Sequence, residues 1–271
     1  MLRPWAAPGA DRMQAPPPPC RSGQGSGIPA PPAMCLDSGP SASAAPARLV
    51  ALGQALLERN DRAAADLRQR FRRAGLPVVN LLSSPGAGKT ALLERLGRQL
   101  AGRGQRLAVI VGDLATDHDA RRLAAAGVAA VPISTGQTCH LETAMVARGL
   151  SQLPQPLADL DLLVIENVGN LVCPAAYDLG EGLRVVLLSV TEGEDKPLKY
   201  PAIFHSADLV VISKVDLAEA VGFERQRARE AIAAVAPRAA VLEVSARSGI
   251  GLEALAARLL APLAPLAPLR P

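Results

Sequence analysis

Lys89 and Thr90 close the stretch Ser83-Ser84-Pro85-Gly86-Ala87-Gly88-Lys89-Thr90, and residue types in that order are suited to holding phosphate. Gly86 and Gly88 let consecutive backbone N–H groups turn toward an anion, with Ser84 and Ala87 completing the loop. Lys89 can then reach the β- and γ-phosphates, and the Thr90 hydroxyl can ligate Mg²⁺ at the positive end of the following helix. Ser83 stands where the usual G-x-x-x-x-G-K-[ST] pattern has its first glycine. The context supplies what the mechanism requires, an apolar run ending at Leu82 before the loop and an amphipathic pattern from Ala91 after it.

Two acidic positions fit the same chemistry. Glu166-Asn167-Val168-Gly169 follows an apolar run and reads as the turn that senses Mg²⁺ and the γ-phosphate, with the Glu166 carboxylate supporting the ion and the Gly169 N–H meeting the phosphate. Asp113 opens the polar segment Asp113-Leu114-Ala115-Thr116-Asp117-His118-Asp119, where a switch segment belongs. It is expected to join the Mg²⁺ shell, while Thr116 or Asp117 caps the next helix. Lys89, Asp113 and Glu166 are thus the candidate catalytic residues, and Thr90, Asp113 and Glu166 the candidate Mg²⁺ ligands.

Ser213-Lys214-Val215-Asp216 resembles the N-K-x-D element that selects guanine. The Asp216 carboxylate would accept hydrogen bonds from guanine N1–H and the 2-amino group, a pair that adenine cannot supply, and Lys214 would stack on the base. Ser213 replaces the usual Asn, so one contact is expected to be shorter or lost. Ser245 and Ala246, in Val244-Ser245-Ala246-Arg247, would add a backbone contact to the base. Two such elements in the right order predict GTP over ATP, because buried polar groups built for one base go unpaired with the other.

A second constellation is Cys139-His140 with Cys173, four residues after Gly169. Thiolate and imidazole suit Zn²⁺ or Ni²⁺, and a helix expected over 139–149 would put Cys139 at its N-terminus, where a thiol pKa is lowered. Plain packing is the alternative for a Cys-His pair taken alone. Three side chains leave a coordination position for water, or for ligands from a second subunit across a two-fold axis.

These residues must be positioned by the rest of the chain. Short apolar runs at 77–82, 106–111, 128–133, 160–165, 183–190, 208–213 and 239–244 alternate with helical patterns at 89–102, 117–126, 139–149, 195–204, 222–235 and 251–261. That alternation predicts an α/β P-loop NTPase fold, a mainly parallel sheet of about seven strands with helices on both faces and ligands at the carboxyl ends of the strands. Ahead of it, Leu49, Leu52, Leu56, Ala63, Leu67 and Phe71 fall at helical spacing, with Gly75 as a C-terminal cap. The domain reading is therefore a disordered, proline-rich extension over 1–47 holding 11 of the 24 prolines, a long amphipathic lead-in helix over 48–75, a GTPase domain with its metal site over 76–262, and a disordered Pro-Leu-Ala tail over 263–271.

The net charge is +4, but residues 48–75 alone carry seven arginines against Glu58, Asp61 and Asp66. The excess is one helix, a solvated face or a docking surface for an acidic partner, and with aromatic residues at 2% no nucleic-acid partner is expected. No apolar stretch is long enough to span a membrane and no secretory signal is evident, so a cytoplasmic location is expected. Four scattered cysteines do not make a disulfide framework.

Together with Leu57-Glu58-Arg59-Asn60-Asp61, Thr135-Gly136-Gln137-Thr138-Cys139-His140-Leu141, Glu166-Asn167-Val168-Gly169-Asn170-Leu171-Val172-Cys173-Pro174 and Ser189-Val190-Thr191-Glu192-Gly193-Glu194-Asp195-Lys196-Pro197, these motifs closely resemble the HypB-type nickel-incorporation GTPases of [NiFe]-hydrogenase maturation, which are SIMIBI-class P-loop GTPases. The likeness covers about residues 48–260, and Ser83 is usual in that family. It implies a slow GTPase that forms a homodimer with nucleotide or metal and carries Zn²⁺ or Ni²⁺ at Cys139, His140 and Cys173. It also implies a metallochaperone that works with a small zinc-containing nickel chaperone and so loads the hydrogenase large subunit indirectly. The chain departs from many relatives in lacking a histidine-rich tract. Read from Met34, it has Cys35 but Ser38 and Pro40 where some relatives have further cysteines, so the tight N-terminal nickel site is expected to be absent and translation is expected to start at Met34 unless residues 1–33 are a lineage-specific extension. The nearest alternative is the urease-type nickel GTPase, but its Cys-Pro-His triplet is missing, since Ala175 follows Cys173-Pro174. A small-molecule kinase would need a substrate lid, and a non-catalytic scaffold would be indifferent to Lys89→Ala.

Overall fold

The computed structural model describes residues 44–113, 117–136 and 138–261, with side chains from residue 53 onward. The expectations for the N-terminal extension, the Met34 start, Thr116 and the C-terminal tail lie outside these residues or, for Ala44–Ala47 and Ala261, overlap them only at the edge.

Seven strands form one sheet: β1 (Val78–Leu82), β2 (Leu107–Asp113), β3 (Ala129–Ser134), β4 (Leu162–Glu166), β5 (Leu183–Ser189), β6 (Leu209–Ser213) and β7 (Ala240–Glu243). Their order is β3-β2-β4-β1-β5-β6-β7, and every pairing is parallel. The central strands read as largely apolar runs, interrupted at Asn80 in β1 and Arg184 in β5, because helices cover both faces. Val79 and Leu81 of β1 pack on one face with α2 (Lys89–Ala101), α3 (His118–Ala125) and α8 (Leu252–Leu260). Val78 faces the other way, with α1 (Ala44–Arg73) and α4 (Thr143–Leu150). Leu82 joins the remaining core, which holds α6 (Pro201–His205) and α7 (Arg225–Val235). Strands before β5 build one side of β1 and later strands the other, so the loop after β1 opens in the crevice where the strand order reverses, the ligand site of such sheets.

Four expectations are corrected. The lead-in helix begins at Ala44 rather than after residue 47, so the first four residues of its opening turn come from the stretch expected to be disordered. Its buried face is Asn60, Ala64, Leu67 and Phe71, whereas Leu56 is 55% exposed and Ala63 only half-buried, because the helix meets the domain only from Asn60 onward. The helix expected over 195–204 is two short ones, α5 (Lys196–Lys199) and α6, broken at Tyr200 because Pro201 has no N–H to continue the ladder. The helix expected over 139–149 starts only at Thr143, which leaves Cys139 and His140 in a bend ahead of it.

Gly75 does cap α1, at φ +62°, with Leu76 N–H donating to the Phe71 carbonyl at 3.1 Å. The helix lies close against the segment before β5: a Cβ on Gly180, itself at φ +81°, would stand 2.9 Å from the Ala64 carbonyl oxygen. Arg68 pairs with both oxygens of Asp178 at 2.5 and 2.6 Å, so one of the seven arginines is neutralised within the fold while Arg59, Arg62, Arg70, Arg72 and Arg73 remain exposed. No helix among the described residues is long and apolar enough to cross a membrane.

Candidate functional site

The loop between β1 and α2 turns on Gly86 (φ +75°) and Gly88 (φ +98°), values open to glycine and strained for other residues. Lys89 starts α2, and its Nζ donates to Ser83 Oγ at 2.9 Å. The serine that departs from the general motif therefore holds the lysine in place. Burial pulls the Lys89 pKa down, opposed by the negative charges of Glu166, Asp119, Glu192 and Asp113, so the site gathers cationic and anionic groups around the space for phosphate. Gly169 lies across from the loop, where an added Cβ would be 3.0 Å from Pro85, which places the expected γ-phosphate turn beside the phosphate loop.

Glu166 ends β4 and is 2% exposed. Thr90 Oγ1 donates to its Oε1 at 3.0 Å, while its Oε2 is buried with no hydrogen-bond partner among the described residues. Burial pushes the Glu166 pKa up to about 7, against the pull of Lys89 and Thr90. An orphaned buried carboxylate oxygen next to a hydroxyl is a donor set suited to a hard cation, so Thr90 and Glu166 fit the expected Mg²⁺. Asp113 is the last residue of β2 and half-buried. It stands in the strand rather than at a helix start, and the N-cap of α3 is Asp117, whose side chain makes no cap hydrogen bond and instead receives one from Arg121 at 2.8 Å.

The base elements meet the phosphate loop on its other side. Ser213 Oγ donates to the Ala87 carbonyl at 2.8 Å, which ties the residue standing in place of Asn to the loop backbone. Lys214, the one non-glycine described residue at positive φ (58°), sends its Nζ to the Gly86 carbonyl at 2.7 Å. Asp216, Lys214, Ala246 and Arg247 line a cleft of about 440 Å³ together with Gly88 and Arg95. Ser245 is buried, its Oγ accepting from Ser248 N–H at 3.0 Å, and this turn holds Ala246 against the cleft. A cleft bordered by the expected selecting carboxylate thus adjoins the loop expected to bind phosphate.

Cys139, His140 and Cys173 bring one ligand atom each to within 4.8 Å of one another, the one such cluster among the described residues. The two sulfurs are 2.9 Å apart. Both His140 ring nitrogens are buried without a hydrogen-bond partner among the described residues, and the ring stacks on Tyr177 at 3.8 Å between centroids. Burial lowers the His140 pKa, which favours the neutral imidazole that ligates metal. The Cys139 thiol is pushed up by its hydrogen bond with Cys173 and by burial, the reverse of the helix-terminus effect expected from the sequence, because α4 starts too late to act on it. A metal bound here must displace the thiol protons, so its affinity should rise with pH.

Sequence reasoning missed the groups that join the two sites. Asn167, directly after Glu166, accepts from Leu141 N–H at 3.2 Å and from its own neighbour Val168 N–H at 3.0 Å, and Asn170 Nδ2 donates to the Cys139 carbonyl at 3.2 Å. The turn that faces the phosphate loop is therefore hydrogen-bonded to both ends of the Cys139–Leu141 segment. Glu192 was also missed: its carboxylate accepts from the Ser84 hydroxyl of the phosphate loop and from Ser189 N–H at 3.3 Å. A signal for it was present in Ser189-Val190-Thr191-Glu192, an S-x-x-E capping box.

Comparison with known proteins places this arrangement. Residues 77–243 match the CobW/HypB/UreG nucleotide-binding domain family. The hydrogenase maturation factor HypB of Azotobacter chroococcum is 51% identical over 218 residues, which cover 79% of this chain and 70% of that protein. The hydrogenase/urease maturation factor HypB of Helicobacter pylori is 41% identical over 220 residues, covering 80% of this chain and 88% of its own. The crystal structure of HypB from Helicobacter pylori in complex with nickel superimposes with a TM-score of 0.71 at 43% identity, over 74% of this chain and 94% of that one. With a match this long and identities this high over most of each relative's length, the chain belongs to the HypB hydrogenase maturation factors within the CobW/HypB/UreG nucleotide-binding family.

Proposed function

We propose that this chain is a GTP-hydrolysing metallochaperone switch that assists nickel insertion into [NiFe]-hydrogenase. GTP is bound by Ser84, Gly86, Ala87, Gly88, Lys89, Thr90 and Gly169 at its phosphates and by Lys214, Asp216, Ser245 and Ala246 at its base. Mg²⁺, held by Thr90, Glu166 and Asp113, supplies charge neutralisation at the phosphates when bound. Lys89 draws the γ-phosphate toward Gly169, and its ammonium offsets the charge that develops there. Nickel is the cargo, carried at Cys139, His140 and Cys173, with Zn²⁺ as the competing occupant.

The observation that carries this reading is the pair of side-chain bridges from the Glu166–Cys173 turn to the Cys139–Leu141 segment, through Asn167 and Asn170. When nucleotide reorders the turn, the backbone around two metal ligands must follow, and by reciprocity metal must alter nucleotide turnover. The three-ligand set is completed by a second copy of the chain, so nucleotide and metal favour a homodimer. A small zinc-containing nickel chaperone supplies the metal and the hydrogenase large subunit receives it indirectly, in the cytoplasm. The Helicobacter pylori relative's name joins hydrogenase to urease, which supports urease maturation as a second reading, separable by which nickel enzyme regains activity when this chain is returned to a strain lacking its own copy.

The test is GTP turnover of the purified chain with and without Ni²⁺. The parent's rate should respond to the metal and the Cys173→Ala protein's should not. A variant rate that still follows Ni²⁺ as the parent does would refute the coupling.

A further inference from the structure

The run Leu57-Glu58-Arg59-Asn60-Asp61 takes no part in holding phosphate, base or metal, yet its Asn60 is buried, 8% exposed, at the point where α1 first meets the domain. Both the nitrogen and the oxygen of its side-chain amide are engaged. Nδ2 donates to the Asp178 carbonyl at 2.7 Å, and Oδ1 accepts from Thr143 N–H at 3.0 Å. The Thr143 hydroxyl lies 2.9 Å from both Asn60 Oδ1 and the Asp178 carbonyl and has one proton to give to either.

The two segments joined by this amide are the ones that carry the metal ligands. Thr143 is the first residue of α4 and ends the short bend that begins with Cys139 and His140. Asp178 follows Tyr177, whose ring covers the His140 imidazole, and lies five residues after Cys173. Asp178 is itself fixed to α1 by Arg68. Among the described residues no hydrogen bond sets the His140 ring plane, so its orientation depends on Tyr177, on the Glu142 carboxylate 3.9 Å from Nε2 and on the backbone that Asn60 clamps. Groups behind the ligands of a metal site hold those ligands in place, and their loss commonly weakens binding about 10- to 100-fold.

We infer that Asn60 is a positioning residue for the metal site, through which the lead-in helix holds the Cys139–His140 and Cys173–Tyr177 segments in ligating register. The inference rests on the metal-site reading above. An apolar side chain at this position would fill the space but leave the buried Thr143 N–H without its acceptor and the Asp178 carbonyl with the Thr143 hydroxyl alone, which is why the device needs an amide.

The experiment uses the full chain and its Asn60→Ala variant. Ni²⁺ affinity is read by competition with a chromophoric chelator, together with the sulfur-to-nickel charge-transfer absorption, and guanine-nucleotide affinity is read on the same protein without metal. Nickel affinity should fall about 10-fold or more with a changed absorption band, while nucleotide affinity stays within about twofold of the parent. Parental nickel affinity and absorption would overturn the inference. So would equal losses of both affinities, which report general loosening. Should Asn60→Ala not fold, Asn60→Asp decides in its place, since it keeps the acceptor for Thr143 N–H and removes the donor to the Asp178 carbonyl: several-fold weaker nickel binding supports the inference and parental binding overturns it. Cys173→Ala tests the underlying site, because nickel binding that survives it unchanged would sink the metal-site reading whatever Asn60 does.

Discussion

Glu166→Gln should make the metal-free protein more stable above neutral pH and less able to use Mg²⁺. In the parent, burial raises the Glu166 pKa from the ordinary 4.5 to about 7, so the folded protein keeps a proton there that the unfolded chain releases near 4.5. Between those two values the folded state binds more protons, and stability falls as pH rises through the window; the cost is absent below about pH 4.5 and complete above about pH 7. Converted at the standard factor, the shift corresponds to about 3 kcal/mol, an upper figure for a carboxylate with one oxygen bonded to Thr90 and the other orphaned. Gln is neutral at every pH and removes the penalty. Urea unfolding in chelator at pH 5 and pH 8 checks this: the two proteins should differ little at pH 5, and the variant should be the more stable by a few kcal/mol at pH 8. Adding Mg²⁺ with a GTP analogue should reverse the order, since a cation restores the ionised carboxylate. A stability difference that stays constant from pH 5 to pH 8 would refute both the burial argument and the placement of Glu166 as a cation ligand.

Two further outcomes test the base site and the fold beneath it. Asp216→Asn puts an amide N–H where guanine also presents a donor, so GTP affinity should drop by about 100-fold or more, and xanthine nucleotides, which carry an acceptor there, should bind better than to the parent; a calorimetric titration in which the parent's preference for GTP over ATP persists would count against Asp216. Gly251→Ala combines a positive φ of 73° with a Cβ only 1.9 Å from the Glu243 carbonyl oxygen, so the variant should lose at least about 2 kcal/mol and some order in the Ser245–Ala246 turn, and an unchanged urea midpoint would contradict that packing.

Much of the fold was legible because strands covered by helices leave largely apolar runs, and all seven lie within a residue or two of their expected bounds. The helix ends were less legible. At Cys139 and His140 the apolar periodicity of 141–150 was extended too far, and no local signal said that the first turn would wait for Thr143, whose N–H is taken by Asn60 from a helix 83 residues earlier. The same misplacement reversed the sign of the effect on the Cys139 thiol. Lys214 and Ser213 show the opposite case: their residue types announced a base site, and the structure added that both are also tied to the phosphate-loop backbone.

Sequence by itself determined the chemistry of the sites, because the phosphate loop, the acidic turn and the guanine-selecting carboxylate each depend on a few neighbouring residues with fixed conformational needs, glycines at positive φ above all. Tertiary structure alone decided how those segments are joined. Asn167, Asn170 and Asn60 stand in the quoted motifs with no local sign of their partners, which arrive only when the fold brings distant segments together and buries Asn60 and Asn167 where an unsatisfied hydrogen bond would be costly.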